Sequence, residues 1–368
     1  MEIFGDYNWR DFKDVYKIAL VFYMLFGTLV LKILISQKNK FISHDKGLLI
    51  TFVLFLILLV GTRKYDIGTD TSNYFNYYFI PITTEVVSYL QVFTRLKTDF
   101  LFEVLASLIF WHRSFTIFLL SVAIVMNVSL YIFVRKFTDF GKKGSSLILF
   151  LTLASSFSFL SIETNIIRNG LSLCFILLGL YYVLEKKPKK FIIYFIIAYL
   201  FHRTAVIPII LFLVISYFNK IEIKYYIAFY VLAILLSLVG FGFHVIPFLS
   251  ELGGEDFARL SFSGDTSYRI GFRYDFVLYN TFFLVLFLKF TNWNSRDLFL
   301  IKYYILASSA FFFNFYIPFS DRFGIYSWII IPLLLFNTIN EAFPTKKLFI
   351  ATWVLIGFFI INNVILFP

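Results

Sequence analysis

The chain has one cysteine, Cys174, in 368 residues. No disulfide can form within it, and no cysteine cluster can hold a metal. Charge is scarce as well: 15 % of residues are Asp, Glu, Lys or Arg, against about a quarter in a soluble domain. That scarcity excludes a water-soluble globule, a disordered chain and a coiled coil. A phosphate-gripping Walker loop, a GxGxxG fingerprint, HExxH and GxSxG are all absent. Their absence disfavours a nucleotide-hydrolysing pump, a dehydrogenase and a zinc protease. The N-terminal residues mix Glu2, Asp6, Asp11 and Asp14 with Arg10 and Lys13. They lack the basic region and cleavage site of a secretory signal, so the first apolar run is expected to remain as a span.

What is present is apolar. Hydrophobic residues make up 60 % of the chain and aromatic residues 22 %, and the mean hydropathy is +0.82. A bilayer span takes about 20 such residues. The sequence therefore predicts an all-α, polytopic transmembrane helical bundle of about 10–12 spans. Apolar runs fall at about 16–35, 47–61, 115–134, 145–161, 166–184, 190–201, 204–218, 225–241, 274–290, 298–314, 323–339 and 348–366. His202 and Arg203 interrupt 190–218, which is either a hairpin of two short spans or one long kinked span. Residues 100–111 are apolar but too short to cross, and read as a re-entrant or interfacial helix. The expected organisation is one integral membrane domain, 1–368, with long polar segments at 62–111 and 242–273.

Bases outnumber acids 33 to 22, a net charge of +11. In a soluble protein this would suggest nucleic acid. Here it divides by residue type. Short basic loops stay in the cytoplasm, and the clusters at 38–46, 135–143, 186–190, 220–224, 289–296 and 346–347 hold 15 Lys and 2 Arg. With 190–218 as a hairpin, all six fall on one side and both polar segments become extracytoplasmic. The segments facing them hold 10 Arg and 4 Lys. Topology does not ask for arginine there. Its planar fork grips phosphate bidentately and stays charged when partly buried, so the arginine side suggests an anionic headgroup or a pyrophosphate. The plainer alternative is snorkelling to ordinary lipid phosphates or pairing with Asp and Glu.

Four places could carry chemistry. Arg63-Lys64-Tyr65-Asp66-Ile67-Gly68-Thr69-Asp70 follows the second span. It resembles the first external loop of lipid-linked glycosyltransferases, where carboxylates bind a metal or deprotonate an acceptor hydroxyl. The structural alternative is an Arg63–Asp66 or Arg63–Asp70 bridge capping the next helix. Tyr74, Tyr77 and Tyr78 follow, placed to stack on sugar rings. Glu163 and Arg168 bracket the start of 166–184, where an ionisable residue is costly and suggests function; a plain Arg168–Glu163 pair is the alternative. His202-Arg203 stands in the apolar stretch YFIIAYLFHRTAVIPII. A neutral His202 lining an aqueous cavity can take a proton from a sugar hydroxyl near pH 7, with Arg203 holding the leaving pyrophosphate; a satisfied His-Arg at a hairpin tip is the alternative. Asp321-Arg322 opens 323–339 in the manner of Arg168. Arg259, Arg269 and Arg273, with Asp256 and Asp265, lie in the second polar segment, which could close over a lipid-linked substrate.

At Arg63–Asp70 with its downstream tyrosines, Ile167-Arg168-Asn169-Gly170-Leu171-Ser172, Phe201-His202-Arg203-Thr204-Ala205 and Ser320-Asp321-Arg322-Phe323, the chain resembles the EpsG/Wzy family of bacterial membrane polysaccharide polymerases. The order and spacing of these pieces fit across nearly the whole chain. Two details depart from the family pattern. Asn169 stands where Gln often follows the arginine, and Arg203 where a small or hydroxyl residue often follows the histidine.

The resemblance implies a fold like that of metal-independent, GT-C-type lipid-to-glycan transferases in the bacterial cytoplasmic (inner) membrane, with the active site on the extracytoplasmic face. It implies an undecaprenyl-pyrophosphate-linked oligosaccharide as donor and as acceptor, no cofactor, no metal and no nucleic acid. A chain-length-regulating membrane protein is a further implied partner. Arg168, Arg203 and Arg322 are the expected pyrophosphate ligands. His202 is the preferred base and Asp70 the second, with Arg63, Asp66 and Tyr74 shaping the acceptor site. Two rivals remain at this point: a metal-dependent polyprenyl-phosphate-sugar transferase using Asp66 and Asp70, and a transporter or flippase of the lipid-linked unit. A transporter would line a midplane path with charge, whereas here the polar groups collect at one face.

Overall fold

Asn8 opens the first helix with a reciprocal cap. Its side chain accepts from the Arg10 and Asp11 amides at 2.8 and 3.0 Å, and Asp11 accepts back from the Asn8 amide at 3.3 Å. Three backbone donors are thereby served where the helix itself offers no acceptor. A computed structural model describes residues 8–84, 99–243, 269–342 and 346–366. Arg259 and most of the 242–273 segment, with Asp256, Asp265 and His244, lie outside the described residues, as do 85–98.

The helices in chain order are α1 (Trp9–Ile33), α2 (Lys38–Gly61), α3 (Thr69–Tyr74, continued by a π-helical turn at Phe75–Phe79 and a short helix at Ile80–Thr84), α4 (Phe100–Ala106), α5 (Leu108–His112), α6 (Phe115–Phe137), α7 (Ser146–Ala154), α8 (Phe157–Thr164), α9 (Ile167–Leu184), α10 (Pro188–Phe201), α11 (Val206–Tyr217), α12 (Ile223–Leu238), α13 (Tyr274–Phe290), α14 (Ser295–Phe312), α15 (Asp321–Trp328), α16 (Ile331–Ala342) and α17 (Lys347–Ile365). No strand occurs among the described residues. The protein is an all-α polytopic membrane bundle.

By length and composition, fewer helices than the expected 10–12 spans reach a full crossing among the described residues. Among the described residues, six segments are long and apolar enough: α1, α2, α6, α9, Asp321–Glu341 and α17. The pair α7–α8, bent by 80°, would be a seventh. The remaining apolar runs fold as helices shorter than a span. α10, α11, α12 and α13 have 14, 12, 16 and 17 residues, below the roughly 20 a crossing takes. α14 is longer but carries Arg296, Asp297 and Lys302. The stretch at 190–218 is two helices, α10 and α11, parted by an extended His202 (φ −163°, ψ 127°) and a 3-10 turn at Arg203–Ala205. Residues 100–111 form the two short helices α4 and α5.

The chain packs as two compact units, residues 1–209 with 343–368, and residues 210–342. In the first, the broken helix α7–α8 frees carbonyls that hydrocarbon cannot satisfy. Side chains from elsewhere in the unit take them. At the first break the Tyr16 hydroxyl donates to the Ala154 carbonyl, and Asn363 Nδ2 donates to the Ser155 carbonyl at 2.7 Å. At the second, after α8, the Thr164 carbonyl accepts from Arg63 Nη2 at 3.3 Å and from the Thr71 hydroxyl. Asn165 Oδ1 accepts from the Thr69 hydroxyl and the Asp70 amide, both at 2.9 Å. The loop 62–74 is thus stitched to the end of α8. Gly68 makes the approach possible: its φ is +98°, and a Cβ there would stand 2.5 Å from the Thr164 oxygen.

Asp45, wholly buried in α2, closes the other end of the broken helix. It accepts from the Ser145 hydroxyl at 2.5 Å and from the amides of Ser146 and Leu147 at 3.0 and 3.1 Å, with Arg135 Nη1 3.6 Å away. A carboxylate at a helix N-terminus meets unpaired amides and the positive end of the helix dipole.

The second unit has its own aromatic core. Trp328 packs between Phe276 and Phe311, ring centres 4.9 and 5.2 Å apart. Lys302 closes the turn between α11 and α12 by donating to the carbonyls of Asn219 and Ile221 at 2.8 and 2.7 Å.

Candidate active site

The first unit gathers four chain segments around one carboxylate. Asp99 is 2 % exposed and directly precedes α4. Its Oδ2 accepts from Arg168 Nη1 at 2.9 Å and from His202 Nδ1 at 3.0 Å. Its Oδ1 accepts from the Arg203 amide at 3.3 Å. Arg168 Nε donates in turn to the Tyr74 hydroxyl at 3.3 Å, and the guanidinium stands 6.0 Å from the ring centres of Tyr74 and Phe102.

Local structure explains each placement. His202 ends α10 in an extended conformation, its own amide still donating to the Ala198 carbonyl at 3.0 Å. The chain then restarts as a 3-10 turn, and the first amide of that turn, Arg203, has no helical acceptor behind it. Asp99 supplies one. Arg168 lies in the first turn of α9, where the helix dipole disfavours a cation. The ion pair with Asp99 offsets that cost. The Arg168 side chain is 31 % exposed and that of His202 is 19 % exposed, so both reach solvent from a carboxylate that does not. Burial by itself pushes the Asp99 carboxyl up. The hydrogen bond and charge of His202, the Arg168 charge and the Arg203 amide outweigh it, and hold the group below the usual carboxylate range. Arg168 and the exposed Arg203 side chain are the cations carried by the segments that meet Asp99.

Of the residues singled out in the sequence, the structure brings Arg168, His202, Tyr74 and the backbone of Arg203 together. Asp99, which joins them, was not among them. The signal available was an acid placed immediately before an apolar segment too short to cross. The Arg168–Glu163 pair does not form. Arg168 pairs with Asp99, and the buried Glu163 accepts from Asn127 Nδ2 at 3.1 Å.

Neither do the Arg63 bridges to Asp66 or Asp70. Arg63, 2 % exposed, donates to the carbonyls of Val60, Ile67 and Thr164 and to the Thr71 hydroxyl. Asp66 is exposed, and Asp70 is half-buried with its amide on Asn165. Tyr74 is 7 % exposed and serves Arg168 through its hydroxyl. Among the described residues no three His, Cys, Asp or Glu side chains cluster as metal ligands do.

The second unit holds the remaining candidates. Arg269 is exposed, its guanidinium 5.4 Å from the Tyr274 ring. Arg273 is gripped by Asp275 through Nε at 3.0 Å and Nη2 at 2.7 Å. Asp321 and Arg322 open α15, and Phe319, in a left-handed conformation with φ +59°, sets its ring 4.9 Å from the Arg322 guanidinium.

The chain matches the EpsG family over residues 46–367, most of its length and all the described parts of the Asp99 site. It belongs to the EpsG family. EpsG proteins are polysaccharide polymerases, and a multi-pass helical bundle carrying a cation-rich polar site agrees with that role. A search of curated proteins and a search of solved structures returned no match.

Proposed function

We propose that this EpsG-family protein is a repeat-unit polymerase of the cytoplasmic membrane of a bacterium, working at the extracytoplasmic face. It transfers a growing glycan from undecaprenyl pyrophosphate to a sugar hydroxyl of an undecaprenyl-pyrophosphate-linked repeat unit. The product is an O-antigen, capsule or exopolysaccharide chain. The observation that carries this reading is the convergence of Arg168 and His202 on Asp99 from separate helices.

The chemistry needs a base and a cation, and both are present. His202 takes the proton of the acceptor hydroxyl as that oxygen bonds to the donor's anomeric carbon. The bond from that carbon to the pyrophosphate oxygen breaks, and its electron pair leaves with the undecaprenyl pyrophosphate. Arg168 stabilises the charge that develops there, as fixed donors do at any departing anion. The exposed guanidinium of Arg203 adds a second cation. The activated donor supplies the driving force, so no nucleotide is consumed.

The test uses the purified protein in vesicles with a lipid-linked repeat unit. Arg168→Ala and His202→Ala are each expected to lower polymer formation about 100-fold or more, with the folded yield unchanged. In cells the same variants leave single repeats in place of a ladder of chain lengths. A wild-type ladder from both variants would overturn the assignment.

A further inference from the structure

We propose that Asp99 is the positioning residue of this site: it holds His202 in the tautomer that leaves Nε2 as the proton acceptor, and ties that base to the cation Arg168 through one shared oxygen. The inference rests on the base role of His202 given above and adds a residue to it.

The geometry has three parts. First, Asp99 is buried and both its oxygens accept N–H donors, Oδ2 from Arg168 and Oδ1 from the Arg203 amide, the bonding of a carboxylate, so the ring nitrogen 3.0 Å from Oδ2 is assigned as a donor too. A neutral imidazole has one N–H. If Nδ1 carries it, Nε2 carries the lone pair. Among the described residues Nε2 has no hydrogen-bond partner, and the His202 side chain is 19 % exposed. The ring is therefore held by one nitrogen and open at the other.

Second, the same Oδ2 takes Arg168 Nη1 at 2.9 Å. An anion that engages the Arg168 guanidinium weakens that bond and leaves the Asp99 charge to His202, which makes the imidazole a stronger base when the leaving group is in place. Third, Oδ1 is pinned by the Arg203 amide, which stops the carboxylate from rotating away. Among the described residues the charged and titratable groups about the ring are Asp99, Arg168 on α9, and Arg203 in the following turn. Tyr74 stands beyond Arg168, and Glu103 lies one turn further along α4.

Asp99→Asn is the direct test. An amide in this place can turn its NH2 toward Nδ1 and invert the tautomer, and it brings no charge to stabilise the imidazolium. The expected result is a kcat about 100-fold lower per folded molecule, with KM for the lipid-linked acceptor changed less than about threefold. The acidic limb of the pH–rate profile should move to lower pH, because the protonated base loses its counter-charge. A residue that merely held the fold together would lower the yield and leave the pH limb where it was. Wild-type kcat per folded molecule with an unmoved limb would overturn the proposal.

A second measurement needs no change at Asp99. In protein labelled with 15N-histidine there are four ring systems to resolve, His44, His112, His202 and His244, and His202→Gln identifies the third by its loss. The neutral ring of His202 is expected to carry its proton on Nδ1. A proton on Nε2 would overturn the proposal whatever Asp99→Asn does. This readout is independent of glycan transfer. If the wild-type protein makes no polymer, the polymerase reading fails while the tautomer result still stands or falls by itself.

Discussion

Replacing Arg63 by Met separates two roles for a residue that the sequence suggests as a substrate ligand and the structure buries as a clasp. Met keeps the apolar stem and removes all five N–H donors. The carbonyls of Val60 and Ile67 and the Thr71 hydroxyl lose their guanidinium donor, and the Thr164 carbonyl keeps only Thr71. A hydrogen bond from a charged donor is worth about 1.5–3 kcal/mol when tested singly. These four share one side chain and do not add. Losing them together is put at about 3 kcal/mol, the upper end for one such bond. At about 2–4 °C per kcal/mol for a unit of this size, the apparent melting midpoint in detergent should fall by about 10 °C. Heating followed by size-exclusion chromatography measures it. Arg63→Lys, a point charge with three donors and no planar fork, should lose about half as much. The molecules that remain folded should keep the wild-type KM for the lipid-linked substrate. An unmoved midpoint with a KM raised tenfold would refute the clasp and make Arg63 a ligand.

Two further perturbations probe the same unit. Gly68→Ala forces a Cβ to 2.5 Å from the Thr164 oxygen at φ +98°. The loop 62–74 should detach from α8, read as a midpoint lower by several degrees and as faster proteolysis at Tyr65–Thr69. Asp45→Ala leaves the Ser146 and Leu147 amides unserved and Arg135 without its counter-charge. About 3–5 kcal/mol of stability should be lost, while kcat per folded molecule stays at the wild-type value; a lower kcat with an unchanged midpoint would contradict a purely structural Asp45.

Much of this is legible in the sequence. Hydropathy and helical periodicity are local quantities, and they read α1, α2, α6, α9 and α17 as membrane helices. They also located the interruption at His202, since a charged pair in an apolar run is visible in a window of about 20 residues. Length is less local. An apolar run of 12–17 residues and a full span look alike in a hydropathy trace, and only the helix ends separate the six or seven described segments of full span length from the shorter apolar helices. The 80° bend between α7 and α8 falls at Ser155–Ser156, two small polar residues that interrupt a hydropathy trace too little to mark a break, and it is held by Tyr16 and Asn363, far away in the chain.

By itself the sequence determined the solvent, the all-helical class, the family, and the residue types that cannot sit in hydrocarbon without a reason. Tertiary structure alone decided which of those residues act together. Arg168 and His202 lie 69 and 103 positions from Asp99, and Arg63 lies 101 from Thr164. Two arginines of the same kind thereby received opposite tasks, one sealed among carbonyls and one held at the edge of solvent. A side chain's burial and its partners depend on what folds over it, and no local pattern contains that information.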